Sequence, residues 1–123
     1  MTTHLFLIVV SVIAGAVGVF AVGFPVQLLG SKGAAVSPAA VVWVREVGVN
    51  IFAQGVAAFL MRDQPDSATL RAFFIGSAVV QFGLFPIEII AWRNGTITRL
   101  SGIVPNSVLH LVLGSAFVFF ALH

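Results

Sequence analysis

Two carboxylates and one imidazole lie inside apolar stretches of this sequence. Glu46, Glu88 and His110 each fall in a stretch long enough to cross a membrane. A charged residue near the centre of a bilayer costs about 2.5–3.5 kcal/mol on insertion scales, so such residues usually face a protein interior. When two carboxyl groups lie in different surroundings, one can act as a general acid and the other as a general base. We therefore predict that Glu46, Glu88 and His110 are catalytic residues that transfer protons on a lipophilic substrate.

Further polar side chains repeat at helical spacing beside these three residues. Asn50 lies one turn after Glu46, and Asn106 lies one turn before His110, so each pair shares a helix face. Amide groups can orient a carbonyl or hydroxyl, and aromatic rings can form the walls of a pocket. The predicted reactions are double-bond isomerisation, epoxide opening and cyclisation. The predicted substrate-binding residues are Arg45, Asn50, Gln54, Gln81, Asn106, Phe52, Phe85 and Trp92.

Each of these residues also has a purely structural interpretation. Asn50, Gln54 and Gln81 can act as interhelical hydrogen-bond groups, worth about 0.6 kcal/mol in measured cases. Arg45 and Glu46 can lie at the membrane interface, with the arginine extended toward the headgroups. Glu88 can reach the interface or pair with Arg45, and a buried histidine is often hydrogen-bonded structure. A non-catalytic lipophile-binding protein or an accessory subunit of a membrane complex is therefore the alternative function.

The residue types present in the sequence argue against several other kinds of functional site. Cysteine is absent, which excludes disulfides and thiol catalysis. One histidine and two glutamates are enough for a three-ligand metal site, but no compact metal-binding motif is present, and we predict neither metal nor cofactor. The sequence has no phosphate-binding glycine loop and no basic cluster typical of a nucleic-acid binder. A channel is not favoured either, because the first apolar stretch offers only Ser11 as a polar group.

The composition indicates an integral membrane protein. The chain has 123 residues, of which 59% are hydrophobic and 8% are charged. Soluble domains contain about 25% charged residues. A membrane span needs about 20 apolar residues, so four spans account for most of the chain and leave only short loops. The prediction is an all-α fold, an antiparallel four-helix transmembrane bundle in one domain over residues 1–123.

Helix start and stop signals give the bounds of the four helices. Thr3 is the predicted cap of the first helix, and Ser37 followed by Pro38 is the predicted start of the second. Asp66 or Ser67 caps the third helix, in which Pro86 introduces a kink. The segment from Pro25 to Ser37 is predicted to be a loop that lies partly in the interface. The predicted helices cover residues 4–24, 38–62, 67–93 and 103–122.

Small residues predict which faces of these helices pack closely. Ser11, Gly15, Gly18 and Val22 form a seam along the first helix. Such seams allow helix backbones to approach each other in lipid. On the second helix, Gly48 and Gly55 lie opposite the polar arc of Glu46, Asn50 and Gln54. One face of this helix is therefore expected to pack, and the other to line a polar interior.

Charges in the loops bear on orientation and partners. The side opposite the termini carries Lys32, Arg93 and Arg99, whereas the side of the termini carries Arg62 and Arg71. Because Lys and Arg are enriched in cytoplasmic loops, the count favours a cytoplasmic location for the side opposite the termini. The expected partners are the bilayer and a lipophilic small molecule or lipid, with no nucleic acid. The sequence is also compatible with a homo-oligomer.

The layout resembles the DoxX-like group of small four-helix bacterial membrane proteins. The shared features are a glycine-rich first helix ending at Phe24-Pro25, the run Arg45-Glu46-Val47-Gly48 early in the second helix, a short charged turn and a histidine in the fourth helix. The resemblance spans nearly the whole chain. It implies a four-helix fold in a bacterial inner membrane. It assigns no activity and no catalytic residue, and Glu88 and Asn106 have no counterpart in it.

Overall fold

The computed structural model describes Met1–His123 and contains helices and no strands. The predicted all-α class is therefore confirmed. Four of the five helices are long and apolar enough to cross a membrane, which makes the chain a multi-pass membrane protein. The helices are α1 (Thr3–Gly23), α2 (Pro25–Lys32), α3 (Pro38–Met61), α4 (Ala68–Arg93) and α5 (Leu100–Leu122).

Side-chain caps fix the starts of three of the long helices. Ser37 and Ser67 accept hydrogen bonds from the amides three residues later, as predicted for α3 and α4. The cap of α1 is Thr2, so the prediction of Thr3 was wrong by one residue. The start of α5 was also predicted too late, because no side chain caps it. The Lys32 carbonyl accepts from the amides of Thr98 and Arg99, at 3.1 Å each, just before the helix begins.

The segment after α1 differs from the prediction. Residues 25–37 were predicted to be a loop, but Pro25–Lys32 form the helix α2. Pro25 stands at its first position, where the fixed φ of proline suits a helix and the missing N–H is not needed. The Leu28 amide donates to the Phe24 carbonyl at 3.0 Å and starts the hydrogen-bonded ladder. The turn signals in the segment therefore mark the ends of a short helix, which closes at Gly33 with φ +65°.

The chain divides into two compact units. The first consists of Met1–Gly30 and Ala35–Gln64, and the second of Ser31–Ala34 and Pro65–His123. In the first unit, α1 and α3 form an antiparallel pair, called here the first helix pair. In the second unit, α4 and α5 form the second helix pair. The short segment Ser31–Ala34 between α2 and α3 belongs with this second pair.

Glycine contacts hold the first helix pair together. A Cβ atom at Gly18 would lie 2.7 Å from the Phe52 amide nitrogen and 2.8 Å from the Gly48 carbonyl oxygen. A Cβ atom at Gly55 would lie 3.0 Å from the Gly15 amide nitrogen. The predicted seam along α1 is therefore confirmed as a packing face at Gly18, while at Gly15 only the backbone approaches α3 and a Cβ atom meets nothing within 4 Å. Gly48 and Gly55 are buried, whereas Glu46 and Asn50 are exposed and Gln54 is half-buried, so the packing face of α3 is confirmed. The polar interior that the other face was expected to line stays a prediction.

Aromatic and glycine contacts hold the second helix pair together. Phe74 and Phe117 are buried with their ring centroids 6.2 Å apart, and Phe120 lies 6.1 Å from Phe74. Nearer the middle of the pair, the ring of Phe82 packs onto Gly114, where a Cβ atom would lie 2.9 Å away. These apolar contacts occupy one end of the pair, and the polar residues of α4 and α5 follow toward the other end.

The segment Ser31–Ala34 is anchored on the start of α5. Gly33 packs against Thr98, whose hydroxyl donates to the Gly33 carbonyl at 3.0 Å. A Cβ atom at Gly102 would lie 2.5 Å from the Ser31 carbonyl oxygen and 2.8 Å from the Lys32 Cα. Together with the two amides that donate to the Lys32 carbonyl, these contacts fix the position of the Lys32 backbone.

We expect Gly102→Ala to loosen this anchor. The added methyl group overlaps backbone atoms of Ser31 and Lys32, and overpacking of this kind costs about 1–3 kcal/mol. The measurement is the free energy of unfolding in detergent micelles. Gly76→Ala on α4 is the matched control, because a Cβ atom there meets nothing within 4 Å. Equal stability of the two variants would contradict the close approach at Gly102.

Candidate functional site

Glu88 is the centre of a polar network in the second helix pair. Its carboxylate lies within a candidate membrane span, and the residue is only 7% exposed. The Lys32 ammonium forms an ion pair with its Oε1. The Asn106 amide donates to the same oxygen at 2.5 Å, and the Ser107 hydroxyl donates to Oε2 at 3.0 Å. Three donors, one of which is the Lys32 cation, therefore compensate the buried carboxylate, as burial of a charge requires.

His110 extends the network on the other side of Asn106. The Asn106 Nδ2 lies 3.0 Å from the His110 Nε2, and the His110 Nδ1 lies 2.6 Å from the Gln81 Oε1. The amide of Asn106 is a donor, so Nε2 must accept. The oxygen of Gln81 is an acceptor, so Nδ1 must carry the hydrogen. The arrangement thus selects the neutral Nδ1–H imidazole, connected through Asn106 to the Glu88 carboxylate.

Helical spacing brings these side chains together. Gln81 and Glu88 are seven residues apart on α4 and share a face. Asn106 and His110 are one turn apart on α5, so each side chain meets the facing stripe of α4. Lys32 belongs to neither of these helices, since it is the last residue of α2. Its side chain reaches Glu88 because its backbone is anchored at the start of α5. The network therefore depends on three separate segments of the chain.

Two hydrogen-bonding groups of the network have no partner in the protein. Gln81 uses its oxygen for His110, and its Nε2 donates to no protein atom. Asn106 uses its Nδ2 twice, and its Oδ1 accepts no hydrogen bond. Both residues are half-buried, so these two groups are partly accessible. No fully buried side-chain nitrogen or oxygen of the protein lacks a hydrogen-bond partner. A free donor and a free acceptor therefore flank His110 at an accessible position.

The other predicted polar residues lie on α3, in the first unit. Arg45 is exposed and its Nε donates to the Val22 carbonyl at 3.3 Å. Glu46 and Asn50 are exposed, and the Asn50 amide donates to the Glu46 backbone carbonyl at 2.9 Å. Gln54 is half-buried. Of the three predicted catalytic residues, Glu88 and His110 are thus members of one network, and Glu46 belongs to the other unit.

The predicted aromatic wall residues differ in exposure. Phe85 on α4 is half-buried, whereas Phe52 is 45% and Trp92 is 44% exposed. A separate apolar groove of about 530 Å³ lies along α4 and α5. It is lined by Ala78, one turn before Gln81, by Phe82, the residue after Gln81, and by Val118 on α5. The groove offers an apolar surface on the same pair of helices as the polar network.

Two members of the network were not predicted. Lys32 lies in the segment that the sequence predicts to be a loop, and Ser107 directly follows the predicted residue Asn106. The sequence contains a signal for both residues, because a glutamate inside a span needs a cation and hydrogen-bond donors nearby. Lys32 is a suitable cation, since it lies on the same side of the membrane as the Glu88 end of α4.

The remaining charges are distributed away from the network. No group of three or more histidine, aspartate or glutamate side chains is placed to hold a metal ion. At the start of α4, Arg71 donates two hydrogen bonds to Asp66, at 3.0 and 2.6 Å, and these hold the pKa of Asp66 below its ordinary value. His4 and Asp63 form an exposed pair at 2.8 Å. These pairs lie at helix ends and resemble ordinary surface charges.

Comparison of the chain with protein-family models, with curated proteins and with solved structures finds no match.

Proposed function

We propose that this protein is a small membrane enzyme that performs acid–base chemistry on a lipophilic small molecule. The observation that carries the proposal is the neutral His110, held between Gln81 and Asn106 and linked through Asn106 to the Glu88–Lys32 ion pair. A neutral imidazole inside a membrane span is a competent proton acceptor. Ionisable groups at such positions usually have a functional role.

In the proposed reaction His110 takes up a proton and later releases it, so the histidine ends in the protonation state in which it began. His110 removes a proton from the substrate at Nε2 and becomes an imidazolium, and it then delivers that proton to a second atom of the same molecule. Such a sequence isomerises a double bond or closes a ring without an oxidant or a metal. The Glu88 carboxylate, joined to His110 through Asn106, attracts the positive charge of the imidazolium. Proton uptake at Nε2 requires the substrate to displace the Asn106 N–H.

We expect His110→Phe to remove the product of this enzyme from membranes. Phenylalanine keeps the volume and the apolar contacts but has no basic nitrogen, and general-base groups contribute about 10²–10⁴-fold to a rate. The measurement is mass spectrometry of membrane lipids from cells that express the wild-type protein or the variant at equal levels. At least a tenfold decrease in a lipid that accumulates with the wild-type protein is expected.

Two further variants make this test specific. Glu88→Gln with Lys32→Met keeps the network neutral and should lower the same product, while Gln27→Met on the exposed face of α2 should leave it unchanged. Glu46→Gln tests the third predicted catalytic residue, which the network of α4 and α5 does not include; lowered product formation would add Glu46 to the site. Undiminished product with His110→Phe would refute the enzyme.

A second candidate function is favoured by one feature of the network. Both ring nitrogens of His110 and both oxygens of the Glu88 carboxylate already have hydrogen-bond partners. Saturated groups suit a non-catalytic site that holds a lipophile, as an accessory subunit of a membrane complex would do. In that case the same lipophile copurifies with the wild-type protein and stays chemically unchanged on incubation.

The DoxX-like resemblance remains a prediction, and with it the bacterial inner membrane as the location. A cytoplasmic location of the side opposite the termini also remains a prediction. Both candidate functions require only that the four long helices cross a bilayer.

A further inference from the structure

Glu46 is an exposed carboxylate inside a candidate membrane span. At about 1.5 Å per residue it lies about 5 Å from the middle of α3, well within a hydrocarbon core about 30 Å thick. Its carboxylate forms no hydrogen bond or ion pair within the chain. A carboxylate at this depth is costly unless another group compensates its charge. The compensating group must therefore belong to another molecule.

The face of α3 that carries Glu46 has a heptad pattern. Steps of three and four residues alternate along it for three heptads, and every residue at these positions is exposed: Ala39, Val42, Glu46, Val49, Ala53, Val56 and Leu60. This set is called here the heptad face. Gly48 and Gly55, which pack against α1, lie on the other side of the helix. A repeat of 3.5 residues is the pattern by which helices pack side by side as a coiled coil, and small residues favour such packing in lipid.

A second copy of the chain matches the heptad face in direction and depth. Lys and Arg in the loops set the orientation of a membrane protein, so all copies are inserted the same way. The α3 helices of two copies are then parallel, and equivalent residues lie at the same depth. In such a pair, each heptad position meets its own counterpart across a two-fold axis.

The second copy also supplies the missing cation. In a parallel pair with Ala39, Glu46 and Ala53 at position a, Arg45 is at position g, beside the hole that Glu46 of the other copy enters. The Arg45 Nε donates to the Val22 carbonyl at 3.3 Å, whereas its two terminal nitrogens have no partner in the chain. Each Glu46 can therefore accept from Arg45 of the other copy, and the two-fold axis produces this ion pair twice.

We propose that the heptad face is the interface of a parallel homodimer in which Glu46 of each copy pairs with Arg45 of the other. A purely apolar partner helix would leave Glu46 uncompensated, so the charges select a second copy over such a helix. A polar residue at a single a position also fixes the register of the pair. The inference does not rest on the proposed function, because neither residue belongs to the network around Glu88.

Disulfide crosslinking tests the interface without altering either charge. The chain has no cysteine, so a single introduced cysteine can react only with its counterpart in another copy. Val49→Cys places it on the heptad face, and Val47→Cys is the matched control on another side of the same helix, with 53% exposure against 59% for Val49. A disulfide needs Cα atoms within about 7 Å of each other. On oxidation of membranes from expressing cells, we expect Val49→Cys to form a product of twice the chain mass and Val47→Cys to lose this product. No dimer with Val49→Cys, or equal yields from both variants, would overturn the interface.

Glu46→Gln tests the ion pair. The full chain is purified in mild detergent, and its dimer dissociation constant is measured by sedimentation equilibrium. Hydrogen bonds to charged groups are stronger than neutral ones, so we expect the constant to rise about tenfold or more. Asp63→Asn removes a carboxylate that lies outside the spans and should leave the constant unchanged. An unchanged constant in Glu46→Gln would overturn the ion pair, and a wild-type protein that sediments as one chain or as more than two would overturn the homodimer. The proposed function is decided separately, by the lipid product of the His110→Phe cells.

Discussion

Lys32→Met should destabilise the protein by about 3–5 kcal/mol, the usual effect of removing one partner from a buried ion pair. The Glu88 carboxylate is 7% exposed, and after the substitution only two neutral donors, Asn106 and Ser107, remain on it. An uncompensated carboxylate buried in a membrane span is costly, and this cost destabilises the pair of helices. The measurement is the free energy of unfolding in mixed detergent micelles, followed by circular dichroism.

The double variant Lys32→Met/Glu88→Gln separates the loss of charge balance from the loss of a contact. With both charges removed, the network is neutral again, and replacement of a whole buried pair is often neutral or stabilising. We expect its stability to lie within about 1.5 kcal/mol of the wild-type value. Arg71→Met is the matched control at an exposed pair, where the expected loss is about 0–1 kcal/mol. A Lys32→Met variant no less stable than Arg71→Met would show that Glu88 does not depend on Lys32.

The sequence allowed the helices to be predicted because their signals are local. The apolar runs, the capping serines and Pro38 each act within a few residues, and the small-residue seam of α1 needs only helical periodicity. Lys32 could not be found in this way. Its contact with Glu88 depends on the carbonyl hydrogen bonds that fix Lys32 onto the start of α5, between residues far apart in the chain. The start of α5 was misjudged for the same reason.

The candidate site was predictable in part. Helical spacing places Asn106 and His110 on one face and Gln81 and Glu88 on another, which is enough to suggest that the two faces meet. It does not reveal which hydrogen bonds form, and so it gives neither the tautomer of His110 nor the free donor of Gln81. Those properties depend on the hydrogen bonds between side chains of α4 and α5, which helical spacing does not give.

Gly18→Leu should separate the first helix pair, with a loss of about 3 kcal/mol or more, at the upper end of what overpacking costs. A Cβ atom at this position already overlaps the Phe52 amide nitrogen and the Gly48 carbonyl oxygen, at 2.7 and 2.8 Å. These are backbone atoms of α3, so no side-chain rotation can make room. The helices must move apart, and the contacts of Gly48 with Ala21 and Val22 are then lost as well. The measurement is again the free energy of unfolding in mixed micelles.

Gly15→Leu provides a control on the same helix. Gly15 lies one turn before Gly18, and a Cβ atom there meets nothing within 4 Å, so the added side chain can point into open space. Because leucine also has a higher helix propensity than glycine, by about 0.8 kcal/mol in water, this variant should be as stable as the wild type or more so. A similar loss of stability in both variants would mean that α1 does not approach α3 through Gly18. Both substitutions introduce the same leucine side chain, so hydrophobicity cannot explain a difference between their free energies of unfolding. Such a difference shows that the close approach of the two backbones at Gly18 stabilises this pair of helices.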